Sequence, residues 1–375
     1  YLSNLQLEHI EMVPMRGQLD QQITSHLQNI YANAMICNGN GACFNKDSTN
    51  VMCPSYKATD DRIHSPKGRA TLIKEWLRTQ SEKNFAKEKQ IAQATFNAMN
   101  GCLGCKGCAG KCPTQVSIPD LKTKFLNTYH NAYKKRKLRD IALGKIERLL
   151  PIAAKFPRLW NFVHKNKLAP SLGVNNIPLF KETISLSDEL KHLNVELYTN
   201  PELIKSFGVN PVVIFADVFT GFLDRSILKS TIRALQKLGS TPYVIYPRSS
   251  GKSLIVGGFI EEFQKNSAEL AALINPLLSA NITVVGLENT IALMFRDEVN
   301  KFAKPFEGKV LTLAELFSQY SEKLADNKNN ESNKYHLLPH CTEQALLPAE
   351  AQAWQKIFSA LGHSIEIKNL GCCGM

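Results

Sequence analysis

At 375 residues and 44% hydrophobic content, the chain has material for two or three packed domains. Its ten cysteines are not spaced like the disulfide framework of a small secreted module. No apolar run reaches the roughly 18 residues needed to cross a bilayer; the best, Pro211 to Leu223, is short and contains Asp217. The net charge of +12 sits almost entirely in one stretch, described below.

Residues 1–30 begin Tyr1-Leu2-Ser3, without an initiator methionine or a signal peptide. They read as a segment continuing from an earlier region, so that the chain is part of a larger polypeptide. Residues 31–130 are expected to fold as a helical domain around two clumps of cysteines. The first clump is Cys37-Asn38-Gly39-Asn40-Gly41-Ala42-Cys43, followed nine residues later by Cys53-Pro54. The second reads Cys102-x2-Cys105-x2-Cys108-x3-Cys112-Pro113. That spacing wraps one tight loop around a [4Fe–4S] cube and passes its fourth cysteine to a neighbouring cluster. The prolines after Cys53 and Cys112 turn the chain away from the last ligand. The swap assigns Cys53, Cys102, Cys105 and Cys108 to a complete four-thiolate site. Cys37, Cys43 and Cys112 are left for a second site, in which Asn40 stands where a fourth thiolate is expected. Gly39 and Gly41 would let backbone approach that cluster.

Zinc also takes Cys-x2-Cys, usually as two pairs with a longer spacer. The alternative reading is therefore a zinc-stabilised basic scaffold that binds a membrane surface or nucleic acid. Thiolate clusters call for a reducing compartment, so the expected location is the cytoplasm or the inner face of its membrane.

Between the clumps, Ser65-Pro66 is a helix start, a capping hydroxyl followed by Pro at the first position. Ala70, Ile73, Trp76 and Leu77 then form an apolar stripe. A second helix carries Phe85, Ala92, Phe96 and Met99 and stops at Asn100-Gly101 as a C-terminal cap pair; a third starts near Pro119-Asp120. Arg69 is either an exposed helix-start arginine or a positive charge beside a cluster.

Residues 131–190 are expected to be a basic helical linker. Over 121–170, 13 Lys or Arg face two acids, Asp140 and Glu147, with Leu143, Ile146, Leu149, Leu150, Ile152, Phe156, Leu159, Trp160 and Phe162 interleaved. A solvated helix, a segment lying on anionic lipid and a nucleic-acid contact all fit that composition, although no nucleic-acid reading motif accompanies it. After about residue 190, strands such as Val212–Phe215 alternate with helical periods such as Ile227 to Leu238, an α/β texture.

Two segments of this half match. Leu238-Gly239 precedes Ser249-Ser250-Gly251 as Leu361-Gly362 precedes Cys372-Cys373-Gly374, and Asp217 and Cys341 stand upstream at similar distances. An internal duplication is expected, with residues 191–330 as a first copy that has lost a metal site and 331–375 as a truncated second copy. Cys341, Cys372 and Cys373 are candidate metal ligands in the second; the competing reading is that they are small core hydrophobes. There is no Gly-rich dinucleotide fingerprint and no acid/base constellation, so no catalytic residue is expected in this chain.

The stretch CNGNGACFN…MCPSYKATDDRIHSPKGRATLIKEWLR…GCLGCKGCAGKCP resembles the iron–sulfur half of bacterial FAD-linked D-2-hydroxyacid dehydrogenases of the D-2-hydroxyglutarate type. More distantly it is similar to the iron–sulfur subunits of glycolate oxidase and anaerobic glycerol-3-phosphate dehydrogenase. The duplicated part resembles the CCG-type cysteine-rich domain of heterodisulfide reductases. The resemblance implies a multidomain architecture: an all-α ferredoxin-like domain, then a duplicated α/β CCG-type domain. It also implies a separate FAD-binding domain on the same polypeptide and onward transfer to a quinone or other acceptor. Cluster ligation carries over onto Cys53, Cys102, Cys105 and Cys108, and onto Cys37, Cys43 and Cys112. A homo-oligomer with no nucleic-acid partner completes the expectations.

Overall fold

The computed structural model describes residues 16–82, 84–165, 179–180, 184–326, 328, 332–368 and 371. They form two compact units, one within Tyr1–Lys134 and Leu370–Met375 and the other within Lys135–Asn369.

In the first unit the described residues are helical, with no strand among them. The helices are α1 (Arg16–Asp20), α2 (Ser25–Ile30), α3 (Ala32–Met35), α4 (Pro54–Thr59), α5 (Pro66–Ser81), α6 (Phe85–Asn100), α7 (Gly107–Lys111) and α8 (Ile118–Ala132). The expected start of α5 is realised: the Ser65 hydroxyl accepts from the Gly68 N–H, and Pro66 takes the first position, where no N–H partner is needed. Its stripe of Ala70, Ile73, Trp76 and Leu77 is fully buried. Trp76 meets Tyr31 and Phe125 edge to face, with centroids 5.5 and 5.0 Å away, and donates its indole N–H to the Tyr133 hydroxyl at 3.0 Å. These contacts clamp α5, α8 and the segment around α3 into one core.

Two details of α6 differ from expectation. Phe85, at its first position, is 63% exposed and leans on Tyr133 rather than entering the core. The helix does end at Asn100, but Gly101 keeps a right-handed φ of −77°, so it is not a left-handed cap. Glycine is needed there for space: a Cβ would stand 3.0 Å from His64 Nδ1 and 3.2 Å from Arg69 Nη2.

The second unit is α/β. Strands β1 (Glu196–Tyr198), β2 (Pro211–Asp217), β3 (Thr241–Arg248) and β4 (Thr283–Gly286) form a parallel sheet in the order β1-β3-β2-β4. Alternate residues serve opposite faces. Val213, Phe215, Tyr243, Ile245 and Val284 pack against the long helix Ile260–Ser279. Val212, Ile214, Ala216, Val244 and Val285 pack against the helices Leu186–His192 and Ser226–Lys237. Burial on both faces explains why β2 reads as an unbroken apolar run. A separate parallel pair joins β5 (Lys334–Leu337) and β6 (Ser364–Ile367).

The described part of the basic stretch, expected as a linker, is packed within the α/β unit. It forms α9 (Leu138–Gly144), α10 (Ile146–Ala153) and α11 (Pro157–Lys165). Leu150 is fully buried with Val218, Phe222 and Leu223. Gly144 lets α9 close onto Phe259, whose ring a Cβ would meet at 2.2 Å. Arg136 donates to the carbonyls of Gly257 and Gly258 at 2.6 and 2.8 Å and covers the Phe259 ring.

Candidate metal centre

Seven of the eight described cysteines belong to the helical unit, and all eight are free thiols. Cys102 leaves the end of α6, Cys105 and Cys108 follow on a tight loop, and Cys53 precedes α4. Two positive-φ residues bend that loop, Gly104 (72°) and Lys106 (59°). Gly107 allows it to lie against the strand of chain before Cys53, because a Cβ there would be 2.3 Å from the Val51 carbonyl oxygen. The result is a single cavity lined by Cys53, Cys102, Cys105 and Cys108, with Arg69 and Lys106 among its walls and no acidic residue.

Cys108 is fully enclosed. Burial pushes its thiol well above the ordinary range, and neighbouring Cys102, Cys105 and Cys53 push it further. Thiols that oppose one another's ionisation in this way become joint thiolates only around a cationic centre. Among the described residues no group of three or more His, Cys, Asp or Glu is arranged to hold a metal ion. The four cysteines line one cavity together. This donor set fits a cube, whose irons sit at its corners and keep their thiolates apart, better than it fits four thiolates around one zinc.

A second cavity is lined by Cys37, Cys43 and Cys112, together with Cys108, the 38–41 loop and Lys67. Burial first raises the Cys43 thiol, with Cys37 adding to it, against a lowering contact from the Lys67 backbone. At Cys112 burial also pushes upward, but the Thr114 hydroxyl and the N–H groups of Val116, Thr114 and Gln115 outweigh it and bring the thiol down. Asn40 does not offer a fourth donor. Its Oδ1 accepts from the Ala42 N–H at 2.8 Å and its Nδ2 donates to Asn38 Oδ1 at 2.8 Å, so both ends of the amide are spent within the loop.

In the α/β unit, two strand–helix–helix–strand segments share the same order of elements and the same strand register. Each position of the first lies 123 residues before its counterpart: β2 pairs with β3 at Pro211 and Thr241, and β5 pairs with β6 at Lys334 and Ser364. Gly239 and Gly362 both have positive φ, 76° and 85°. The next N–H closes the same turn in each case, Ser240 to the Leu235 carbonyl and His363 to the Phe358 carbonyl. This register corrects one expected pairing. Asp217 corresponds to His340, not Cys341, because each caps the helix that follows its strand; the counterpart of Cys341 is Val218.

Ser249, Ser250 and Gly251, at the carboxyl end of β3, correspond to Cys372, Cys373 and Gly374. In the first segment the turn is filled. Glu147, 1% exposed on α10, places Oε2 on the Ser250 N–H (2.5 Å), the Ser250 hydroxyl (2.7 Å) and the Gly251 N–H (3.2 Å), and Oε1 on the Ser253 N–H (2.7 Å). In the second segment Cys341 is buried at the start of its helix, whereas Cys372 and Cys373 lie outside the described residues. Sequence reasoning passed over Glu147 and Gly107: one was read only as a charge and the other only as spacing between cysteines.

The family model of the 4Fe–4S dicluster domain matches residues 33–116, which include all seven cysteines of the helical unit. Among curated proteins, the chain is 33% identical to a D-2-hydroxyglutarate dehydrogenase of Pseudomonas putida, over 98% of this chain and 40% of the relative. It is 30% identical to those of Haemophilus influenzae and Escherichia coli, each over 96% of this chain and 39% of the relative. The chain thus spans about two fifths of the length of the curated relatives it matches. No solved structure matches it. Along nearly its whole length the chain is thus similar to part of proteins named D-2-hydroxyglutarate dehydrogenases, and its residues 33–116 match a 4Fe–4S dicluster domain.

Proposed function

We propose that the chain is the electron-relay portion of an FAD-linked D-2-hydroxyacid dehydrogenase, with D-2-hydroxyglutarate as the substrate of the whole protein. Cys53, Cys102, Cys105 and Cys108 hold one [4Fe–4S] cluster. Cys37, Cys43 and Cys112 hold a second that lacks one protein ligand. A cube supplies one-electron transfer; the chain's own residues supply its thiolates, its cationic walls and its seclusion from water. The observation that carries this reading is the meeting of Cys53 with the triple-thiol loop on a single acid-free cavity. FAD and the hydroxyacid pocket belong to another part of the polypeptide, and a quinone is the proposed acceptor.

The two copies in the α/β unit are read as a CCG-type duplication in which Glu147 has replaced a metal site in the first. Cys341, Cys372 and Cys373 remain the candidate ligands of the second. The exposed side of α10 and α11 is proposed as a contact with an anionic membrane surface. Leu149, Ile152, Phe156, Leu159 and Phe162 are all 43–62% exposed there beside Lys155 and Arg158, and charge selects anionic lipid. Among the described residues no helix is long and apolar enough to cross a membrane.

The test is anoxic purification with quantitation of iron and labile sulfide and a low-temperature magnetic resonance spectrum of the reduced protein. Iron with matching sulfide is the expected result. Colourless protein with stoichiometric zinc would overturn the relay.

A further inference from the structure

Arg69 is a buried arginine with no carboxylate partner among the described residues. It is 1% exposed; its Nε donates to the Ala98 carbonyl at 2.9 Å, its Nη2 to the Ser55 hydroxyl at 2.9 Å and its Nη1 to Cys53 Sγ at 3.5 Å. The other buried cations of α5 are neutralised: Lys74 by Asp20 at 2.9 Å, and Arg78 by Asp20 at 2.5 Å and Glu75 at 3.0 Å. Among the described residues no Asp or Glu does this for Arg69. A guanidinium keeps its charge at physiological pH, and a buried charge without a counter-ion is strongly disfavoured.

The fold nevertheless builds around it. Gly101 stands where any side chain would crowd Nη2, and Ser55 and Ala98 aim the fork. Arg69 lines the four-cysteine cavity. Two further cations flank the same thiols: Lys106, 2% exposed, lines the cavity, and Lys122 Nζ donates to the Cys102 carbonyl at 2.8 Å.

We propose that Arg69 is a positioning residue for the four-thiolate cluster: its guanidinium is the cluster's built-in counter-charge, and its N–H···S bond to Cys53 raises the reduction potential. The inference rests on the reading that this cavity holds an iron–sulfur cluster. The reduced cluster carries one more negative charge than the oxidised one. A fixed positive charge and a donor on a ligand sulfur therefore favour the reduced form. Electrons arriving from a flavin are thereby drawn to this site.

The experiment is an anoxic redox titration of the full chain and its R69Q and R69K variants, with iron, sulfide and circular dichroism measured on each. R69Q, with wild-type iron and fold, is expected to lower the reduced-to-oxidised ratio at a given potential by roughly tenfold, about 59 mV for one electron. R69K keeps the charge but not the planar fork, and its potential is expected to fall by less. An R69Q protein with wild-type iron and an unchanged potential overturns the proposal. If R69Q fails to fold or loses its iron, R69K decides: a lowered potential supports the proposal and an unchanged one overturns it. Wild-type protein without iron and sulfide would instead sink the underlying cluster reading.

Discussion

The carboxylate of Glu147 occupies the turn around Ser250, accepting the Ser250 N–H at 2.5 Å and its hydroxyl at 2.7 Å. The turn lies at the carboxyl end of a parallel strand, where open α/β sheets bind their ligands. Here the ligand is the chain's own α10, and the contact fastens the basic helices to the α/β unit. Glu147→Gln would aim an amide N–H₂ at backbone donors and strand at least one of them. A destabilisation of about 2 to 3 kcal/mol is expected, seen as a lower thermal transition of the α/β unit. Glu147→Ala would leave the donors vacant, and added formate should then raise the transition of this variant but not of the parent. An unshifted Glu147→Gln would mean that the turn does not depend on the carboxylate.

The division of thiols between two cavities gives a second prediction. Cys105→Ala removes one of the four thiols assigned to the first cavity, and Cys43→Ala removes one of the three assigned to the second, where Cys108 also reaches the wall. Most iron should survive Cys43→Ala, whereas Cys105→Ala should abolish the signal of the four-thiolate cluster. Equal iron loss from both variants would show that the ligands have been divided wrongly.

Much of this was legible in the sequence because it is local. The cysteine spacing, the Ser65-Pro66 start and the apolar run of β2 each depend on neighbours within a turn or a strand. The likeness of the two α/β segments was legible too, but its register was not. Asp217 and Cys341 look equivalent by chemistry and spacing, and only the strand pairing shows that Asp217 and His340 share the capping position. Contacts made across long separations were invisible. Glu147 finds Ser250 103 residues away, and Arg69 finds Ala98 29 residues away. Nothing in composition says which of many charged residues is buried, because that is decided by what packs around it.

Acid should weaken the α/β unit at a definable place. Burial tends to raise the Glu315 carboxyl, but Arg296, Lys309 and the Thr312 N–H together outweigh it and hold the group at about 2, against an ordinary 4.5. Arg296 Nη1 reaches Glu315 Oε1 at 3.0 Å, tying the helix Asn289–Arg296 to the helix Leu313–Ser318. A folded value below the unfolded one means stabilisation that is complete above about pH 4.5 and is lost as pH falls toward 2. About 2 to 3 kcal/mol is expected to disappear across that window. Glu315→Gln should flatten the acid limb of a stability–pH curve measured by urea unfolding. The same slope in both proteins would rule this group out.

The exposed side of α10 and α11 makes the last prediction, and the fold decides which residues test it. Arg136 is unsuitable, because it holds the Gly257 and Gly258 carbonyls and its loss would disturb packing. Lys155 and Arg158 are exposed, as are Ile152, Phe156 and Leu159, so their replacement leaves the buried side of Leu150 and Glu147 intact. Each cation near an anionic surface contributes about 1 kcal/mol, so Lys155→Gln with Arg158→Gln should weaken binding to anionic vesicles by roughly tenfold or more at low salt. Phe156→Ser should weaken it at every salt concentration, because burial of an aromatic ring is not screened. Neutral vesicles should bind little in either case. Vesicle binding that ignores all three substitutions would assign these apolar side chains to a protein partner instead.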